Sequence, residues 1–97
     1  MKEIWKDIEG YKGLYQVSNL GRIRNSQSKI MRQYKNHKGY LIIQLSKEGR
    51  RKTLIVHRLV AEAFIPNKSN KEQINHINCN KTDNNIENLE WVTNREN

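Results

Sequence analysis

Only once in this chain does the hydrophobic period change to that of a helix. In HRLVAEAFIP, Leu59, Val60, Ala63 and Phe64 recur at helical spacing, and Pro66 ends the run. Elsewhere the apolar residues come in short alternating pieces broken by glycine, serine and asparagine. The chain is therefore restricted to one short amphipathic helix set among small antiparallel strands and hairpins, an α+β fold. Hydrophobic residues make up 35% of the sequence and the mean hydropathy is −0.96, so the helical stripe must supply much of a modest core. With 97 residues there is room for one small domain, or for two sub-modules sharing that core. A chain this lean is marginally stable alone, and a bound partner raises its apparent stability.

Before the helix, the residues 14–17 and 22–25 are expected as two strands around the turn Ser18-Asn19-Leu20-Gly21. Trp5, Tyr11 and Tyr15 are expected to pack beneath them, with stacking on bases as the other use of such rings. Residues 29–34 and 40–45 read as further strands. After the turn Lys47-Glu48-Gly49-Arg50, residues 52–56 return as a partner, with Leu41, Ile43 and Leu45 sharing one face. His57, at the start of the helix, is expected to be structural. The 31 residues from Asn67 hold ten asparagines, yet Ile74, Ile77, Ile86, Leu89, Trp91 and Val92 punctuate them, which a disordered tract lacks. Residues 72–77 and 89–93 are expected as strands, joined by a polar loop whose Asn and Asp side chains bond their own backbone. Thr93 or Asn94 would cap a helix starting near Arg95, with Glu96 in its first turn.

The charge is uneven. The segment from Arg22 to Arg58 holds eleven of the 18 Lys and Arg residues but one of the ten Asp and Glu residues, Glu48. That continuous excess is the footprint of a surface that neutralises phosphates. A solvated basic face and a surface for acidic lipids are the competing readings. A hairpin with Arg50, Arg51 and Lys52 at its tip suits a DNA groove, because the major groove admits a two-stranded ribbon. With Cys79 alone, the chain can form neither an internal disulfide nor a cysteine zinc site. No apolar run approaches the roughly 20 residues that span a bilayer, and the N-terminus has no apolar signal segment. The expected location is the cytoplasm of a bacterial or phage-infected cell, with no membrane partner.

Read together, VHRLVAEAFIPN, INHIN and ENLEWVT resemble the HNH endonucleases, particularly the homing branch of phages and group I introns. Upstream, GYKGLYQVSNLGRIRN is similar to the modular DNA-binding motif often found ahead of such nucleases. The resemblance divides the chain into a DNA-binding module with a basic hairpin over residues 1–50 and a nuclease domain over 51–97. The heart of the latter is a ββα-metal finger, residues 72–97, whose last helix is truncated at Asn97. It implies His76 as the general base and Asn88 as a brace that holds the loop and so orients the histidine. It implies Asn75 and Asn97 as metal ligands, with Asn75 where an aspartate is common. Arg22, Arg24, Arg32, Lys35, Lys38, Arg50, Arg51, Lys52 and Arg58 are the residues expected to hold double-stranded DNA.

These roles make chemical sense. An imidazole, with an ordinary pKa of about 6.5, can take a proton from water near neutral pH. Amide oxygens bind hard cations without formal charge, so the expected ion is Mg²⁺, with Mn²⁺ as a substitute and no structural zinc. Asn78-Cys79-Asn80 replaces the family's Asp-Gly-Asn turn, and Asn78 or Asn80 is expected to take any left-handed conformation in place of Cys79. Asn78, Asn80, Asn84 and Asn85 are expected as turn-formers. The resemblance implies a DNA endonuclease; a DNA-binding protein with an incomplete or inactive HNH site is the alternative, and an RNA-binding role ranks third.

Overall fold

A computed structural model of the chain describes residues 1–95. The sequence alternates as expected, and the strands fall into three small antiparallel sheets. In the first, β1 (Trp5–Asp7) and β3 (Ile23–Asn25) flank β2 (Tyr15–Ser18). In the second, β4 (Tyr34–Lys35) and β6 (Arg50–Ile55) flank β5 (Leu41–Lys47). The third pairs β7 (Gln73–His76) with β8 (Leu89–Val92). Helix α1 (Val56–Phe64) follows β6 without a break, and a single 3₁₀ turn, Ile86–Asn88, leads into β8.

Two departures from the expected elements have simple causes. The strand expected over residues 29–34 is reduced to one bridge between Ile30 and Arg24 and the two residues of β4. Ser28 there adopts a positive φ of 62°, and Met31 N–H donates to the carbonyl of Ile23, so the segment is tied to the first sheet rather than running as a free strand. On α1 the fully buried residues are Val56, Val60 and Ala61. The predicted Leu59, Ala63 and Phe64 lie half-buried at the margin, because the helix starts directly from β6 and so turns Val56 inward.

The core is shared by every layer. Val56, Val60 and Ala61 meet Val17 and Ile23 of the first sheet, Ile43 and Leu45 of the second, and Ile74 and Leu89 of the third in one cluster. Each such side chain contributes about 1.5–3 kcal/mol when fully buried, and each sheet adds its share to the one cluster that includes α1. Tyr11 and Tyr15 do pack edge-to-face, with centroids 5.7 Å apart. Trp5 does not join them. Its ring instead lies under the guanidiniums of Arg24, at 4.2 Å, and Arg22, at 5.7 Å. Among the described residues no helix is long and apolar enough to cross a membrane.

Candidate functional site: a braced histidine and a basic groove

Strand β7 alternates as a pleated strand must, with Ile74 and His76 turned inward and Gln73 and Asn75 outward. His76 therefore ends the strand as a buried ring, 6% exposed. Three groups fix it. Its Nε2 lies 2.7 Å from Oδ1 of Asn84, the His57 ring meets it edge-on at 5.1 Å, and the Tyr40 ring lies tilted at 5.9 Å. Tyr40 also packs against His57 at 5.1 Å, so the three rings form one cluster. Burial, together with the nearby charges of His76 and Arg58, lowers the pKa of His57 to about 4. His57 is thus neutral at physiological pH and adds no positive charge beside His76.

The loop after His76 is held by its amides. Asn88 Oδ1 accepts from the N–H of Asn78 at 2.9 Å, and its Nδ2 donates to the carbonyl of Asp83 at 2.8 Å. One buried side chain thereby ties the start of the loop to its far end. Asn78 accepts from the N–H of Asn80, Asn80 from that of Thr82, and Asn85 from that of Glu87, the short-range turn bonds expected of them. Asn84 is different. It is 4% exposed and serves His76 rather than its own turn. The left-handed residue is Cys79 itself, at φ 65°, and not Asn78 or Asn80. Both asparagines keep their side chains in turn bonds, and the exposed Cys79 takes the strained position between them.

On the outer face of β7, Asn75 sits opposite Glu90 of β8, and its Nδ2 donates to Glu90 Oε1 at 3.0 Å. That bond uses the amide nitrogen and turns Oδ1 away from the Glu90 carboxylate. Amide and carboxylate oxygens are donors of the kind that hold hard divalent cations. Among the described residues no three His, Cys, Asp or Glu side chains are grouped to hold a metal. Asn97 and Glu96 lie outside the described residues, and Arg95 is in a turn.

The basic residues divide into two sets. Arg22 donates Nε to Glu3 Oε2 at 2.8 Å and forms a second bond from Nη2, which holds the Glu3 carboxyl below its ordinary range. Arg24 donates to Gln16 at 2.8 Å. Arg58 donates to the carbonyl of Glu72, pairs with Glu62 at 3.5 Å and lies over Trp91. These three are tied into the structure. Arg32, Lys35, Lys38, Arg50, Arg51 and Lys52 are exposed. Arg32 and Arg51 also line, with Lys29 and Tyr34, an open groove of about 520 Å³ between the first two sheets. Asn84, Tyr40 and Glu90 are the site residues that the sequence reading missed. Asn84 is indistinguishable in sequence from the turn asparagines around it, and the other two reach the site only through tertiary contact.

Comparison with known proteins adds to this geometry. Residues 3–46 match the NUMOD4 motif family and residues 55–97 match the HNH endonuclease family. Two uncharacterised HNH endonucleases of Acanthamoeba polyphaga mimivirus are each 44% identical, over 96% and 98% of this chain and 28% and 25% of their own lengths. The DNA endonuclease I-HmuI of Bacillus phage SP01 is 43% identical over 92% of this chain and 52% of its own length. A solved structure concerned with DNA binding and cleavage by I-HmuI superposes with a TM-score of 0.87 and 40% identity, over 96% of this chain and 54% of that one. The chain thus spans from a quarter to about half the length of these relatives.

Proposed function

We propose, from the match of residues 55–97 to the HNH endonuclease family and of residues 3–46 to the NUMOD4 motif, that the chain is a metal-dependent DNA endonuclease. It grips the duplex with its basic hairpin and groove and hydrolyses a phosphodiester with His76 as general base. The observation that carries this reading is His76 itself: an imidazole buried at a strand end, fixed on three sides, inside a loop that Asn88 braces. Orientation of this kind is what proton transfer in a transition state requires.

In the proposed step, His76 accepts a proton from water as its oxygen attacks phosphorus. The bond from phosphorus to the 3′ oxygen breaks, giving a 5′-phosphate and, after protonation, a 3′-hydroxyl. Asn75, with Asn97, would hold the cation, Mg²⁺ or its substitute Mn²⁺, and Glu90 lies beside the Asn75 amide. When bound, the ion supplies charge stabilisation at the phosphate oxygens and the leaving 3′ oxygen. Arg32, Lys35, Lys38, Arg50, Arg51 and Lys52 hold phosphates. Arg22, Arg24 and Arg58 bear on the DNA chiefly by stiffening the surface that does so. The division into a DNA-binding module over 1–50 and a nuclease domain over 51–97 belongs to the same reading, as does action in the cytoplasm of a bacterial or phage-infected cell.

The test is incubation of the purified chain with supercoiled plasmid and Mg²⁺ or Mn²⁺, beside His76→Ala. We expect relaxed or linear product from the parent and a loss of about 10²-fold or more in the variant, the contribution typical of a general base. Equal product from both would refute the assignment of the base. Salt-sensitive DNA binding without cleavage under any divalent ion would favour the DNA-binding alternative, a second reading motivated by the amide at position 75.

A further inference from the structure

The turn Ser18-Asn19-Leu20-Gly21 lies in the NUMOD4 motif, yet it forms the wall behind the partner of His76. Gly21, at φ +90°, packs so closely on Asn84 that a Cβ there would come within 2.9 Å of Asn84 Cβ and 3.1 Å of its carbonyl oxygen. Two residues further along, the N–H of Ile86 donates to the carbonyl of Asn19 at 2.9 Å. The turn is itself rigid. Ser18 Oγ accepts from the N–H groups of Leu20 and Arg22, Asn19 bonds both Ile4 and Lys2, and Gln33 donates to the carbonyl of Gly21. Ser18, Asn19 and Gly21 are all buried.

The bond from Asn84 to His76 has a consequence for the imidazole. A carbonyl oxygen only accepts, so an oxygen 2.7 Å from Nε2 requires the proton of the neutral ring to sit on that nitrogen. Nδ1 then carries the lone pair. A second observation marks the same place. Among the described residues, the buried side-chain nitrogens without a partner are Asn84 Nδ2 and His57 Nδ1, and both belong to residues that touch His76. Unpaired buried groups are costly and rare, and here they gather around one ring.

We infer that the NUMOD4 turn is a structural part of the nuclease site: through Gly21 and Asn84 it fixes His76 as the Nε2–H tautomer, with Nδ1 as the basic atom. Gly21 and Asn84 are positioning residues, acting through His76. The inference rests on the reading of His76 as the base for its functional meaning, but the tautomer can be read without catalysis. A motif that would otherwise only hold DNA thereby makes cleavage depend on its own correct folding.

The experiment is ¹⁵N NMR of the histidine rings of the full chain, at a pH where imidazoles are neutral. Nε2 of His76 should give a pyrrole-type resonance and Nδ1 a pyridine-type one. Asn84→Asp keeps an acceptor oxygen and should keep the tautomer, whereas Asn84→Leu should release the ring into a mixture. Gly21→Ala should perturb the His76 ring as well. Gly13→Ala provides the control, since Gly13 has a similar φ of +81° and nothing within 4 Å of an added Cβ. In cleavage assays Asn84→Leu should lower kcat by about 10- to 100-fold with DNA affinity unchanged. An Nδ1–H tautomer in the parent chain overturns the inference, as does equal disturbance of His76 by Gly21→Ala and Gly13→Ala. Should Gly21→Ala fail to fold, Ser18→Ala, which removes the acceptor that holds the turn, takes its place: a perturbed His76 ring is expected, and an undisturbed one overturns the role of the turn. The inference fails on the tautomer and the nuclease reading fails on the plasmid assay, so the two failures are distinct.

Discussion

At the scale of single residues, the histidines of this chain are separated by their surroundings rather than by their chemistry. His57 is buried among His76, Tyr40 and the start of α1, and burial is the first cause of its pKa of about 4, followed by the charges of His76 and Arg58. An unfolded imidazole titrates near 6.5, so between those values the unfolded chain binds a proton that the native chain refuses. The native state therefore keeps its full stability above about pH 6.5 and loses it as the pH falls toward about 4. Discounted for the part of the ring that solvent still screens, the loss from this one group is about 2 kcal/mol. Urea unfolding at pH 7.5 and at pH 5 should show it, and His57→Phe should flatten that difference; an unchanged pH dependence would remove His57 as its source. The sequence made His76 legible through the motif around it and placed His57 in a structural role. It could not single out Asn84, because an asparagine among asparagines carries no local mark of the tertiary contact that Gly21 imposes on it.

At the scale of elements, periodicity was readable wherever local physics decides and unreadable where contacts do. The hairpin of β5 and β6 was plain from alternation, and Ile43 and Leu45 are buried on the expected face. Strand β4 was overestimated because Ser28 and Met31 bind that segment to a different sheet. The helix kept its stripe but rotated it toward Val56, since β6 runs straight into it. The hairpin also carries the clearest electrostatic prediction. Arg50, Arg51 and Lys52 pair in register with Lys47, Ser46 and Leu45, and all three basic side chains are exposed. If each meets a phosphate, replacing all three by alanine should reduce the slope of log affinity against log salt concentration by about 2.7, at 0.9 per contact. Because none of the three is buried, the thermal midpoint should stay within a few degrees of the parent. Fluorescence anisotropy of a labelled duplex across a salt series measures this, and an unaltered slope would mean that the hairpin tip does not touch the backbone of DNA.

For the whole molecule, two matched families share one hydrophobic core. Val17 and Ile23 come from the segment that matches the NUMOD4 motif, Val60, Ala61, Ile74 and Leu89 from the segment that matches the HNH family, and all pack in one cluster. The radius of gyration, 13.2 Å, is that of a single body of this length, for which about 12.5 Å is expected. A shared core implies that neither segment melts independently, because opening either one exposes apolar surface of the other. The chain offers its own reporters. Trp5 lies in the first sheet under Arg24, and Trp91 lies in the third, donating its indole N–H to the carbonyl of Ile65 at 2.9 Å. The variants Trp5→Phe and Trp91→Phe each leave one fluorophore, in the third and the first sheet respectively. Each variant's fluorescence transition in urea should coincide with its own far-ultraviolet circular dichroism transition, with the same midpoint and slope, as one cooperative unit requires. Separate midpoints for Trp5 and Trp91 fluorescence, each displaced from circular dichroism, would reveal two modules that fold alone. The wall that Gly21 raises behind Asn84 would then open at a different denaturant concentration from the sheet bearing His76, uncoupling the turn from the base it is inferred to hold.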